Sequence, residues 1–197
     1  MQAFDHCDDV FQKTCTFYRN TQAIEVFIVY CQGLCHQEKL NDEVIPELER
    51  IIKESAKLNS DTVMTHWKRY PLTTVKNMEQ LITDVFTGKL IFSIQGIAEL
   101  FVVDIADPPQ RTPEESRTEI SIRGPRDGFI EDIRVNTALI RKRISSNCLR
   151  YEEFIIGRRS KTRVGLLYID DIASPNVIYQ VREQLKGIDI DALLNAN

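Results

Sequence analysis

A chain of 197 residues, 43% hydrophobic and 27% charged, is long enough for one ordinary domain or two small ones, and it has the balance of a folded rather than a disordered protein. Its net charge of −4 argues against a general nucleic-acid binder, whose surface would be basic. The longest uncharged run, Val26 to Gln37, has 12 residues against the ~20 that a membrane-crossing helix needs, and the first ten residues, with three acids and no apolar run, do not read as a secretory signal.

In chain order, two β-rich runs flank Arg19-Asn20-Thr21-Gln22, so residues 14–30 read as a β-hairpin with Asn20 in its turn. A helix follows, with Val44, Leu48, Ile51 and Ile52 on one face. Residues 60–73 show no clean period and read mostly as loop. Residues 73–88 read as a helix that Thr74 caps, that Met78, Leu81, Ile82 and Val85 line, and that Gly88 ends. Residues 89–106 predict a second hairpin across Gln95-Gly96.

From Asp107 to Pro125 four prolines and many polar residues leave no period, so this stretch reads as a linker. A helix with Asp127 at its N-cap follows, carrying an apolar stripe of Ile130, Ile133, Thr137, Ile140 and Ile144. Glu131 and Asp132 lie near the positive end of its dipole, and Arg141, Lys142 and Arg143 near the negative end. Residues 149–169 predict a third hairpin with a basic turn at 157–162. Ser174, Pro175 and Gly187 bracket a last helix, and Ile188 to Leu194 close the chain as a short strand or the start of another element. The first and third hairpins share a faint echo, with Tyr30 and Tyr168 at equivalent places. The expected architecture is α/β with mixed sheets, in two small lobes of hairpin and helix: residues 1–106, a linker 107–122, and residues 123–197.

Charge is uneven. Between Arg123 and Arg163 there are eleven basic and five acidic residues, a net +6 within a chain of net −4. Arg141, Arg143, Arg158, Arg159, Lys161 and Arg163 are therefore candidates for contact with an acidic partner or an anionic membrane surface. The plainer reading is a solvated basic face. A second candidate set surrounds the rigid turn Arg123-Gly124-Pro125-Arg126. Gly128 is a costly choice in a first helical turn, Phe129 follows it, and Asn136 sits beside the apolar stripe, where it needs partners if buried. An anion or carboxylate pocket is one reading and an inter-lobe contact is the simpler one.

No catalytic set emerges. His6, His36 and His66 lie apart from any nucleophile motif, no phosphate-binding glycine loop is present, and Glu152-Glu153 are adjacent strand residues that face opposite ways. The chain is not expected to be an enzyme or to need a cofactor. Cys31, Cys35 and His36 cluster, but a zinc site needs about four such ligands, so no metal is expected and the five cysteines read as free thiols in a reducing compartment.

The stretch from Gly124 to Ile144 closely resembles the signature of the GerA-type spore germination receptor A subunits: Gly-Pro-Arg-x-Gly-Phe, an acid, then Asn-x-Ala-Leu-Ile-Arg-x-Arg-Ile. The resemblance continues through Gly157 to Ala173 and Ile188 to Asp191, and more loosely backwards over the first two hairpins. It implies the soluble N-terminal domain of an A subunit that joins B and C subunits in a nutrient receptor of the spore inner membrane, with this domain on the spore-core side. It also implies a part in sensing amino acids or sugars and in starting germination. Two mechanisms follow. A small germinant binds in a cleft between lobes that hinge on the linker. Alternatively, the domain binds no small molecule and is an interaction scaffold for receptor assembly.

Overall fold

β1 (Val10–Arg19) and β2 (Gln22–Cys31) form the first hairpin, in register from Val10 opposite Cys31 to Arg19 opposite Gln22. Asn20 takes the left-handed conformation (φ 53°) that the tight turn requires, which is why an Asn stands there. The computed structural model describes residues 2–109 and 129–193 and has the mixed α/β content predicted above.

β4 (Lys89–Ile94) and β5 (Leu100–Asp104) form the second hairpin, and β3 (Leu72–Thr74) pairs with β5. The result is one antiparallel sheet in the order β1-β2-β4-β5-β3. Alternation along its strands separates two buried layers. Ile24, Val26 and Ile28 of β2, Leu90, Phe92 and Ile94 of β4, and Phe101 and Val103 of β5 share one core. That core is capped by α1 (Gln37–Lys39), a π-helical turn Leu40–Val44, α2 (Ile45–Glu54) and α3 (Ser60–His66). The π turn sits just before Pro46, whose missing N–H would interrupt an ordinary helical ladder. Val29, Cys31, Ile91 and Val102 face the other way, against Leu81, Val85 and Phe86 of α4 (Met78–Phe86).

The second sheet is smaller: β6 (Leu149–Ile156) with β7 (Thr162–Ile169). The N-terminal residues complete its free side. The Tyr151 N–H donates to the His6 carbonyl at 2.9 Å and the Asp8 N–H to the Tyr151 carbonyl at 2.8 Å, giving a parallel bridge at Cys7. Arg150 fastens the same segment by donating to the Asp5 carbonyl at 2.7 Å. The chain therefore starts on the second sheet and crosses to the first between Asp8 and Val10. α5 (Ile133–Arg143) lies between the two sheets, and α6 (Pro175–Gly187) packs on β6 through Ile178.

Several local expectations need correction. Residues 60–73 are not mostly loop: Asn59 caps α3 by accepting from the Thr62 N–H at 2.8 Å, and β3 follows. The cap of α4 is Asn77, accepting from Gln80, because Thr74 is already used in β3. Met78, at the start of that helix, is exposed rather than core. Asp132, not Asp127, caps α5, accepting from the Arg134 N–H at 2.8 Å; Asp127 lies outside the described residues. The Ser174 side chain makes no capping bond. Residues 188–193 form neither strand nor helix. They lie against the β6–β7 turn, whose Arg158 and Arg159 N–H groups donate to the carbonyls of Ile190 and Asp191. Of the linker, residues 110–122 lie outside the described residues.

Glu152 gives α6 a pH-dependent anchor. Arg182 forks onto it at 2.8 and 2.5 Å, and Tyr168 donates to it at 2.7 Å. Burial alone would raise this carboxyl, but the hydrogen bonds from Arg182 and Tyr168 and the Arg182 charge outweigh it, so Glu152 titrates below the usual carboxylate range. A depressed folded value stabilises above the unfolded value and is lost as pH falls through the folded one. As pH falls below the ordinary glutamate value of 4.5 and through the lower folded one, loosening of α6 is expected to contribute to acid unfolding. Hydrogen exchange of α6 against pH tests this: Glu152→Gln should remove most of its acid dependence.

Candidate functional site

A cavity of about 400 Å³ opens where the end of the β1–β2 hairpin, one face of α5 and the β6–β7 hairpin meet. The first sheet contributes Asp9, Phe11, Cys31, Gln32 and Gly33, α5 contributes Arg134, Thr137 and Ala138, and the second sheet contributes Asp8, Tyr151, Glu153 and Arg163. It adjoins a second cavity of about 530 Å³ that shares Gln32, Gly33 and Arg134 and extends to Gln37, Asp107 and Pro109. The first volume is within the ~300–1,000 Å³ of small-molecule sites.

Arg141 stands behind the cavity wall. It is fully buried, and Asp9 is nearly so. The Arg141 Nε and Nη2 donate to the two Asp9 carboxylate oxygens at 2.7 and 2.9 Å. Its Nη1 donates to the carbonyls of Leu149 at 2.6 Å and Ser146 at 3.1 Å, and its guanidinium lies 4.2 Å over the Phe86 ring. Burial works against its charge, but the Asp9 hydrogen bonds and charge win, so its pKa rises further. One side chain thus joins the crossing segment at Asp9, α4, α5 and β6. This corrects its assignment to a partner or lipid surface: α5 buries Thr137, Ala138 and Arg141, so of the Ile130 to Ile144 stripe Thr137 is buried, Ile133 and Ile140 are half-buried, and the two end residues are exposed. The physical reason is a close approach to Gly33, where a Cβ would come within 3.1 Å of the Ala138 Cβ and 3.2 Å of the Arg134 carbonyl. Only small residues fit that seam. Gly33→Val is expected to cost about 1–3 kcal/mol by pushing α5 away, and Gly33→Ala less; thermal melting of the two variants checks the order.

The cavity walls hold their shape by hydrogen bonds. Asp8 accepts from the Glu153 N–H at 2.7 Å, and Tyr151 donates to the Glu153 carboxylate at 3.1 Å. Burial, with Glu153 adding to it, pushes the Tyr151 phenol up to about 12, so it stays a neutral donor. Arg163 faces Glu153 at 3.5 Å. The cavity therefore offers carboxylate acceptors, guanidinium donors and the aromatic faces of Phe11 and Tyr151 to one small occupant.

Of the candidates from sequence, Arg123, Gly124, Pro125, Arg126 and Gly128 lie outside the described residues. Asn136 makes an amide clasp: it accepts from the Ile130 N–H at 2.8 Å and donates to the Ile130 carbonyl at 2.7 Å, fixing the chain leading into α5. Phe129, beside that clasp, is 72% exposed. Arg143 is on the surface. Arg158 pairs with Asp189 and Arg159 faces Asp191 at 3.9 Å, so acids of the closing segment already oppose two charges of the basic turn. Arg163 reaches the cavity, which its sequence position did not suggest. Asp8, Asp9, Gln32, Gly33, Tyr151 and Glu153 went unread. The one available signal was Arg141 itself, which follows Thr137 and Ala138 at helical spacing and so falls on a buried face.

The family model described as Bacillus/Clostridium GerA spore germination protein matches residues 1–197. The chain belongs to the GerA family. It is 36% identical over 196 residues to spore germination protein XA of Bacillus anthracis, covering 98% of this chain and 40% of that protein. It is 30% identical over 186 residues to spore germination protein B1 of Bacillus subtilis, covering 94% and 38%. The chain thus spans about two fifths of the length of these GerA relatives. Its fold resembles the crystal structure of the N-terminal domain of the A subunit of the Bacillus megaterium spore germinant receptor GerK3. The TM-score is 0.66 at 22% identity, over 95% of this chain and 68% of that one.

Proposed function

We propose that this GerA-family chain is the soluble N-terminal domain of a spore germinant receptor A subunit. In this reading it takes part in sensing a nutrient, an amino acid or a sugar, and in the signal that starts germination. The observation that carries it is the cavity between the two sheets: a family chain with mixed acidic, basic and aromatic walls around about 400 Å³ has a place for a small polar germinant. The reading assigns the domain no catalysis. Among the described residues no helix is long and apolar enough to cross a membrane, and a relative of the same family is named a membrane protein. We therefore assign membrane anchoring to other parts of the full receptor, at the spore inner membrane, with this domain on the core side and B and C subunits as its partners.

The test is a screen of the chain against amino acids and sugars by NMR chemical-shift perturbation. At least one compound is expected to bind saturably, with shifts at Gln32, Thr137 and Tyr151. Saturable binding that spares those residues, or no binding at millimolar concentration, overturns the cavity as the germinant site.

A second reading has its own observation. Ile172 is 81% exposed, and Val177 and Tyr179 are exposed on α6, where Ile178 is the one buried residue. Such apolar exposure suits an assembly surface, the scaffold reading. The same lobe carries the basic turn, for which an acidic partner subunit or anionic lipid remains the proposed contact. Co-sedimentation with anionic and neutral vesicles separates these: salt-sensitive binding to anionic vesicles alone supports lipid, and its absence at low salt leaves the acidic partner.

A further inference from the structure

We infer that the Asp9–Arg141 pair is a latch at a hinge, and that the lobe made of α5, β6, β7 and the N-terminal segment undocks from the first sheet as a unit when it opens. Three features place the hinge. Asp8 is bound into the second sheet through its N–H to Tyr151 and its carboxylate to the Glu153 N–H. Val10 is already in register with Cys31 of the first sheet, and the Asp9 carbonyl accepts from the Gln32 N–H at 2.9 Å. The chain therefore changes sheets at the Asp8–Asp9 peptide, and the residue at the crossing also holds the latch.

The latch is fully made when closed and costly when half made. Arg141 spends four donor contacts on Asp9, Ser146 and Leu149, so removing either charge leaves the other buried without its partner. The rest of the seam is apolar: Phe4, Cys7 and Ala138 pack with Val10, Cys31, Leu34 and Phe86 in one buried cluster, Gly33 lets Ala138 approach closely, and the cavity opens on the flank. A joint with a strong ionic centre and an open flank is suited to two discrete positions rather than continuous bending. Opening unroofs the cavity, and an occupant touching both sheets would favour the closed position in proportion to its preference for it. The latch itself does not depend on a germinant binding there.

Native cysteines report on the motion. Cys7 and Cys31 are buried at the seam, with the Cys31 thiol 3.6 Å from the Asp9 carboxylate, whereas Cys35 is buried in the far core and bonded to the Gly88 carbonyl at 3.0 Å. The experiment is maleimide labelling of the folded chain, with each cysteine followed by peptide mass spectrometry. In the unaltered chain Cys7 and Cys31 are expected to react roughly tenfold or more faster than Cys35, because undocking is less costly than unfolding. Ile52→Val, in the far core, should speed Cys35 about fivefold and leave Cys7 and Cys31 within about twofold. Arg141→Met should speed Cys7 and Cys31 at least about a hundredfold. If that variant does not fold, the isosteric Asp9→Asn takes its place and should speed them roughly tenfold. Acceleration of all three thiols alike by Ile52→Val, or no acceleration of Cys7 and Cys31 by the latch variants, overturns the latch and makes the chain one cooperative unit.

Discussion

Replacing Arg141 by methionine is expected to lower the thermal midpoint of the chain by on the order of 10 °C. Methionine fills part of the volume and keeps the contact with Phe86, but it leaves the Asp9 carboxylate and two carbonyls without their donor. Removing one partner of a buried pair costs about 3–5 kcal/mol, and each kcal/mol moves the midpoint of a chain this size by about 2–4 °C. Lys142, the next residue, is exposed, and Lys142→Ala is expected to stay within about 0.5 kcal/mol of the unaltered chain. Calorimetry on the two variants decides the matter. Equal midpoints would mean that Arg141 contributes no more than a surface charge. A melt of Arg141→Met that splits into two transitions would show the lobes separating before the first sheet unfolds, as the latch requires.

That contrast also shows what the sequence could and could not reveal. Hairpin, helix and turn positions follow from local chemistry: Asn20 and Gly96 at positive φ, and Leu48, Ile51 and Ile52 at helical spacing, all stand where expected. The basic triplet Arg141-Lys142-Arg143 suits a helix C-terminus and also a surface patch. Locally only its helical spacing from Thr137 and Ala138 sets Arg141 apart from its neighbours, because its partner Asp9 lies 132 residues earlier. The cavity was hidden for the same reason. Its walls come from four separate stretches, and Tyr151 and Glu153 look like ordinary strand residues until the N-terminal segment pairs beside them. Asn136 was legible as a polar residue in need of partners but not as a clasp, since its partner is the backbone of Ile130. Capping assignments failed by a few residues where two good candidates competed: Asn77 over Thr74, because Thr74 was taken by β3.

The other large effect is expected at Gly88, where backbone meets backbone. Gly88 has φ +92°, and a Cβ there would stand 2.4 Å from the Leu34 carbonyl oxygen and 3.0 Å from the Ala106 Cβ. Neither neighbour is free to move. The Leu34 carbonyl accepts from the Asp107 N–H at 2.7 Å, and Cys35 and Ala106 are paired across an isolated bridge. Alanine at this position must therefore adopt a left-handed conformation and also force apart the two strands of chain that close the first sheet beside α4. The conformational part alone costs about 1–2 kcal/mol. Overpacking against a fixed backbone adds about 1–3 kcal/mol, so a total of about 3 kcal/mol and a midpoint lower by about 6–12 °C are expected. Gly96 supplies the control. It has nearly the same φ, +85°, but nothing lies within 4 Å of its added Cβ, so Gly96→Ala should show the conformational cost without the clash. Denaturant unfolding of the two variants separates the contributions. A Gly88→Ala chain no less stable than Gly96→Ala would show that the Leu34 and Ala106 segments can yield, and that the packing of the chain around Asp107 against the first sheet is softer than its hydrogen bonds imply.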